Sequence, residues 1–105
     1  MTIDQFISEL SRAASDYTWT LERQRWGDDD RQCLRAKYGD FKTDPIGAVC
    51  RHLEKGDYDV GGYVRSAGAL GLSHKDRRAI SFAYNQSPLA DPALRGRILA
   101  QVTMS

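Results

Sequence analysis

The thiols and imidazoles are the first side chains to consider for a metal site. The chain has two Cys and two His. Cys50 and His52 lie two positions apart, a spacing that points them to different faces of a helix. Cys33 and His74 are remote from that pair and from each other, and no Cys-x-x-Cys motif occurs. Because structural zinc sites usually combine paired ligands at short spacing, the sequence predicts neither a metal site nor another cofactor.

The two thiols are also the candidates for covalent catalysis. A nucleophilic cysteine needs an electropositive, partly open pocket, whereas Cys50 falls on the apolar side of a predicted helix and Cys33 within a predicted strand. The carboxylates at 28–30 do not have the alternating spacing of a calcium loop. No Gly-x-Ser-x-Gly elbow, Walker loop or Gly-x-Gly-x-x-Gly motif is present. We therefore expect a protein that is not an enzyme; a cysteine-dependent hydrolase or transferase is the third hypothesis.

Length and charge narrow the classes of protein that remain. The chain has 105 residues, 15 Lys and Arg, 14 Asp and Glu, and a formal net charge of +1. This length suits one globular domain over residues 1–105, and the charge balance gives no global field for nucleic acid or an acidic membrane. No apolar run approaches the ~20 residues that span a bilayer, and no secretory signal is evident. We expect a cytoplasmic protein with reduced cysteines and no membrane partner.

The first two secondary-structure elements that the sequence predicts are a helix and a strand. Thr2 is the predicted N-cap of a first helix, whose apolar residues recur at intervals of three and four. Apolar and polar residues then alternate over 17–23, which predicts a strand. The residues of this strand expected to face the core are Tyr17, Trp19 and Leu21.

A second strand is predicted directly after the first. Residues 27–30, Gly-Asp-Asp-Asp, predict a turn, and residues 31–36 return as the second strand of a two-stranded antiparallel hairpin. Residues 38–43 are predicted to be a loop. Since an isolated hairpin is marginally stable in water, this one must pack against helices.

Four further helices follow from capping signals. Asp44-Pro45 and Asp91-Pro92 each combine a carboxylate cap with proline in the first turn, Ser73 caps another helix, and Asp59 begins a glycine-containing one that ends near Gly71. The fold class is therefore α+β and mostly α, with about five helices packed against a short hairpin. The residues expected to meet in the core include Trp19, Val49, Ile80 and Leu99.

The segment 67–85 looks like a helix-turn-helix. A small residue precedes the turn glycine Gly71, and Ser73 starts the second helix, which extends to Asn85. Against this interpretation, Arg77 stands where such motifs usually bury Val or Ile. The alternative function is thus a DNA-binding regulator that uses the helix Ser73–Asn85. The side chains that would meet phosphates or base edges are His74, Lys75, Arg77 and Arg78.

Aromatic residues in predicted loops point instead to a protein partner. Tyr and Arg are enriched at the energetic centres of protein interfaces, and 11 of the 15 basic residues are Arg. Arginine suits planar, bidentate recognition better than lysine does. The candidate partner-binding residues are Tyr38, Phe41, Tyr58 and Arg65, and a homodimer is also left open.

A series of short motifs resembles small uncharacterised proteins of bacteria and their phages. In order, the motifs are Trp19-x-Leu21, Asp-Pro-Ile-x-Ala-Val-Cys over 44–50, Ala67-x-x-Leu70-Gly71-Leu72, Ile80-x-x-Ala83, and Leu94-Arg95-x-Arg97-Ile98-Leu99. The resemblance brings no known activity and implies an accessory gene context. The first-choice function is therefore a non-catalytic protein-binding module, a phage- or prophage-type inhibitor or regulator that occupies a partner protein's surface, an anti-defence role included.

Overall fold

The computed structural model describes residues 1–55 and 68–103. Within those ranges the chain forms four α-helices, three β-strands and one short 3-10 helix, Ala14–Asp16. The helices are α1 (Ile3–Ala13), α2 (Pro45–His52), α3 (His74–Tyr84) and α4 (Pro92–Ala100). The strands are β1 (Thr18–Trp26), β2 (Asp29–Tyr38) and β3 (Phe41–Thr43), in the sheet order β1-β2-β3.

The prediction of about five helices on a two-stranded hairpin is wrong. The described residues contain four helices, and the sheet has three antiparallel strands. The additional strand, β3, lies in the segment 38–43 that was predicted to be a loop. Three residues are too few to display the alternation by which longer strands are identified. The predicted helix that begins at Asp59 lies mostly outside the described residues.

Both turns of the sheet use the same dipeptide. Gly27-Asp28 joins β1 to β2, and Gly39-Asp40 joins β2 to β3. The φ angles of the two glycines are 63° and 58°, in the left-handed region that two-residue hairpin loops require and glycine adopts without steric cost. The first turn is shorter than predicted, because positions 29 and 30 already belong to β2.

Four of the five predicted helix starts are confirmed, and the fifth, at Asp59, lies outside the described residues. Thr2 forms a complete capping box with Gln5, since its side chain accepts from the Gln5 N–H and the Gln5 side chain accepts from the Thr2 N–H. Asp44, Ser73 and Asp91 cap α2, α3 and α4 through side-chain oxygens. Each cap satisfies one of the backbone donors that a helix N-terminus leaves without an intrahelical partner.

The described helices are short. The longest, α1 and α3, have 11 residues each, whereas crossing the hydrocarbon layer takes ~20. No helix in the described part of the chain is both long and apolar enough to traverse a membrane.

The core joins one end of the sheet to the helices. Trp19 is almost fully buried, and its indole N–H donates to the Ala14 carbonyl at 2.9 Å. Val49 and Ile80 are also buried as expected, while Leu99 is only partly buried and packs against the edge of the core. Leu21, predicted to face the core, is 37% exposed. The strand alternation predicted its face correctly, since Leu34, directly opposite on the central strand β2, is fully buried, but Leu21 lies on the edge strand β1 and stays partly exposed.

Candidate protein-binding surface

The short turn between β2 and β3 brings two of the predicted partner-binding residues together. Tyr38 and Phe41 lie directly opposite each other in the β2–β3 pairing, so their side chains share one face of the sheet. The Tyr38 side chain is 50% exposed, and Phe41 is half-buried against the core. The pair therefore forms an aromatic surface that packs against the core on its inner side and is exposed to solvent on its outer side.

Arg51, near the end of α2, lies against these rings. Its guanidinium carbon is 3.9 Å from the centroid of the Tyr38 ring, 5.9 Å from that of Phe41 and 5.7 Å from that of Tyr17. Its Nη1 also donates a hydrogen bond to the Tyr17 hydroxyl at 3.2 Å. We call these four residues, Tyr17, Tyr38, Phe41 and Arg51, the Arg51 cluster.

The Arg51 cluster holds its members in defined positions before any ligand arrives. The Tyr17 and Tyr38 rings meet edge to face, with centroids 6.2 Å apart and planes at 62°, an arrangement that aromatic pairs favour. The hydrogen bond to Tyr17 is the main cause of a raised pKa for Arg51. The guanidinium is thus charged, stacked and oriented, which combines cation–π attraction with donors directed by a rigid plane.

The sequence predicted two of the four residues of the Arg51 cluster. Tyr38 and Phe41 were predicted, whereas Tyr58 and Arg65 lie outside the described residues. Arg51 and Tyr17 were not predicted, because their contact joins residues 34 positions apart and depends on how α2 packs on the sheet. The Gly39-Asp40 dipeptide between two aromatic residues was the available signal for the hairpin that aligns Tyr38 with Phe41.

The predicted DNA-binding residues lie at the start of α3. His74, Lys75 and Arg78 are exposed, and Arg77 is half-buried. A guanidinium nitrogen of Arg77 lies 2.6 Å from His74 Nδ1, and the Arg78 guanidinium lies 5.3 Å from the ring centroid of Phe82. Two of the four residues, His74 and Arg77, are therefore already engaged with each other.

The two thiols are enclosed. Neither Cys33 nor Cys50 forms a disulfide, and both are fully buried. The Cys33 thiol donates to the side-chain carbonyl of Gln24 at 3.4 Å, and burial is the main cause of its raised pKa. A buried thiol with a raised pKa has little thiolate and little access to a substrate.

The imidazoles of His52 and His74 are exposed, whereas both thiols are buried. His52 is exposed on α2, and its Nε2 lies 3.7 Å from a carboxylate oxygen of Glu9. Within 1–55 and 68–103, no three His, Cys, Asp or Glu side chains are grouped in a way that would hold a metal ion.

No protein-family model, no curated protein and no solved structure matches the chain.

Proposed function

We propose that this chain is a non-catalytic protein-binding module that acts by occupying the surface of a partner protein through the Arg51 cluster. The observation that carries the proposal is the half-exposed Tyr38 ring held 3.9 Å from the Arg51 guanidinium. Tyrosine and arginine are the residue types on which interface binding energy concentrates. Here they form one contiguous, oriented pair.

Preorganisation is the physical reason why this pair suits recognition. Ordering a flexible side chain at an interface costs roughly 0.5–1.5 kcal/mol, and both Tyr38 and Arg51 have lost much of that freedom through contacts within the protein. A partner that covers the Tyr38 ring gains its apolar area, and the guanidinium offers donors to a carboxylate or a backbone carbonyl. The surface is therefore suited to a partner with an apolar pocket beside an acceptor.

The resemblance to small phage and bacterial proteins favours an accessory role. We propose that binding inhibits or regulates the partner, as an anti-defence protein would, because a small module without its own chemistry acts by blocking a surface. The enclosed positions of Cys33 and Cys50 support the non-catalytic part of this proposal.

Affinity capture with matched variants tests this proposal. The tagged protein is expressed in its native host, and captured proteins are quantified by mass spectrometry for the wild type, Tyr38→Ala, Arg51→Ala and Leu89→Ala. Leu89, 73% exposed between α3 and α4, is the control for loss of an exposed apolar side chain. A specific partner should be depleted at least ~30-fold by Tyr38→Ala, as for a residue worth ~2 kcal/mol, and retained by Leu89→Ala.

The Arg51 substitutions sharpen the same experiment. Arg51→Lys keeps the positive charge but loses the planar group that stacks on Tyr38, so it should weaken capture nearly as much as Arg51→Ala. Capture of no partner by the wild type, or equal capture by all variants that remain folded by circular dichroism, would overturn the proposed function.

DNA binding by α3 is the second candidate function. Gly71 has a φ of 69°, which suits a tight turn before the Ser73 cap, and Lys75 and Arg78 are exposed on the helix that follows. This candidate predicts binding to duplex DNA that weakens steeply with added salt and is reduced by Lys75→Ala and Arg78→Ala. Fluorescence anisotropy with a labelled duplex measures it, and the absence of binding at low salt would eliminate it.

A further inference from the structure

A groove lies on the face of the sheet opposite the Arg51 cluster. It has a volume of about 430 Å³ and crosses all three strands. This volume falls within the range of ~300–1,000 Å³ that is typical of ligand sites. Its lining residues are Thr18, Thr20, Glu22, Arg35, Ala36, Lys37, Lys42 and Thr43.

The register of the three strands determines which side chains lie next to each other in this groove. Lys37 lies opposite Thr18 on one side and opposite Lys42 on the other, and Thr20 lies opposite Arg35. Directly opposed residues share a face, so three cations and two hydroxyls converge at one end. Glu22 stands at the other end of the groove on β1.

The pairing of Lys37 with Lys42 is unfavourable in the chain alone. Like charges at directly opposed positions destabilise a sheet. Within residues 1–55 and 68–103, neither lysine and not Arg35 forms an ion pair with a carboxylate. An anion placed between them would relieve this repulsion and accept hydrogen bonds from ammonium, guanidinium and hydroxyl groups.

We propose that this groove binds an acidic peptide segment of the partner protein, with its carboxylates against Lys37, Lys42 and Arg35. The inference rests on the proposed protein-binding function and specifies the partner's chemistry. Lys37 is adjacent to Tyr38, and Lys42 is adjacent to Phe41, and adjacent residues of a strand point to opposite faces. One partner bound around the β2–β3 turn can therefore contact both faces of the sheet. The apolar pocket of the partner then covers the Arg51 cluster, and the acidic segment of the same partner enters the groove.

The charge distribution along the hairpin favours a short acidic peptide over a nucleic acid. A polyanion that follows β1 and β2 along this face would leave the three cations, meet Glu22, pass Arg31, which is already paired with Asp29, and reach the exposed Asp28 at the turn. The whole chain has a net charge of only +1, so no overall positive field adds to the attraction of a phosphate backbone. Carboxylates confined to one end of the groove meet only its basic half.

Binding of a defined anionic probe tests the groove directly. A short fluorescein-labelled oligoglutamate peptide is titrated by anisotropy at low and raised salt, beside an oligoglutamine peptide and a single-stranded oligonucleotide of equal length. We expect the oligoglutamate to bind, the oligoglutamine not to bind, and salt to weaken binding. The charge reversal Lys37→Glu/Lys42→Glu should weaken oligoglutamate binding by at least about tenfold. Lys55→Glu, which reverses an exposed lysine after α2, should leave it unchanged.

The outcomes separate the groove from the proposed function. No oligoglutamate binding, equal binding by Lys37→Glu/Lys42→Glu, or tighter binding of the oligonucleotide would overturn the acidic-peptide assignment. Partner capture then shows whether the proposed function survives. If Tyr38→Ala still abolishes capture while Lys37→Glu/Lys42→Glu retains it, the groove inference fails alone. If neither variant affects capture, the proposed function fails as well.

Discussion

The two ends of the β1–β2 hairpin share one hydrogen-bonded ladder but have different surroundings. At the base, Trp19 pairs with Ala36, and both side chains are buried. At the tip, Arg25 pairs with Asp30, and both are exposed. The base is held by packing against helices, whereas the tip has the backbone ladder and an exposed ion pair within β2, Arg31–Asp29, which contributes far less.

The tighter packing of the base explains why a surface with fixed side-chain positions lies there and not at the tip. The Arg51 cluster lies beside the base, where β2, β3 and α2 are fixed by a common core. A side chain at the tip lacks that support, since Leu21 is already partly exposed on the same face as Trp19. Substitutions at the base should therefore alter the free energy of unfolding much more than substitutions at the tip.

The largest contrast is expected between two positions on one face of β1. Trp19→Ala removes a buried aromatic side chain and the donor to the Ala14 carbonyl, which should lower the free energy of unfolding by about 3–5 kcal/mol. Leu21→Ala should lower it by about 1 kcal/mol or less, because the side chain is partly hydrated in the folded state. Urea denaturation followed by circular dichroism measures both. Equal losses would show that the tip is packed as tightly as the base.

Two helical glycines provide the next comparison. A Cβ at Gly47 in α2 would clash with the Thr43 hydroxyl and lie 3.0 Å from the Thr43 Cβ, while a Cβ at Gly96 in α4 meets open space. Gly47→Ala should therefore destabilise by about 1–3 kcal/mol through overpacking against β3. Gly96→Ala should stabilise by up to about 1 kcal/mol through higher helix propensity. Thermal or urea unfolding of the pair tests this, and stabilisation by Gly47→Ala would refute close packing of α2 on β3.

A buried tyrosine at the base should give a pH-dependent stability. The Tyr84 hydroxyl donates to Asp44 Oδ2 at 3.1 Å, and Tyr84→Phe should cost about 1 kcal/mol at neutral pH. Burial raises the pKa of Tyr84 well above its ordinary value of 10.0. The folded protein keeps this proton while the unfolded chain releases it, so the contribution is complete below about pH 10 and declines at higher pH.

Comparison with Tyr84→Phe isolates this effect from other groups that titrate in alkali. The wild type should lose stability more steeply than Tyr84→Phe as the pH rises above 10.0, in urea titrations at matched ionic strength. Parallel pH profiles for the two proteins would contradict an enclosed, protonated Tyr84.

The smallest effect is expected at the tip. Arg31 and Asp29 form an ion pair at 3.2 Å, but the Asp29 side chain is 63% exposed. Asp29→Ala should change the free energy of unfolding by less than about 1 kcal/mol, and salt should shrink the change further. A larger loss would mean that the charge pairs at the tip carry more of the hairpin's stability than their exposure implies.

The sequence predicted the features that depend on neighbouring residues. Asp44-Pro45 and Asp91-Pro92 mark true helix starts because a cap and a first-turn proline act within one turn of backbone. The alternation over β1 likewise identified a strand. β3 escaped detection because it has three residues and is defined by its pairing with β2, which is a tertiary property.

The candidate surface was predictable to a smaller extent. Residue type alone singled out Tyr38 and Phe41, but it did not reveal that they lie opposite each other or that Arg51 stacks on Tyr38. The opposed Lys37 and Lys42 were equally invisible before β3 was known. For the two opposed pairs the missing information was the register of a short strand, and for Arg51 it was the packing of α2 on the sheet.

The burial of both native thiols gives the protein a practical property. Cys33 and Cys50 are the chain's two cysteines, and neither is exposed, so maleimide dyes should react slowly with the folded molecule. A cysteine introduced at exposed Lys42 would then be labelled selectively. Such a dye, on the groove face beside the β2–β3 turn, would report occupancy of the groove as a change in its emission.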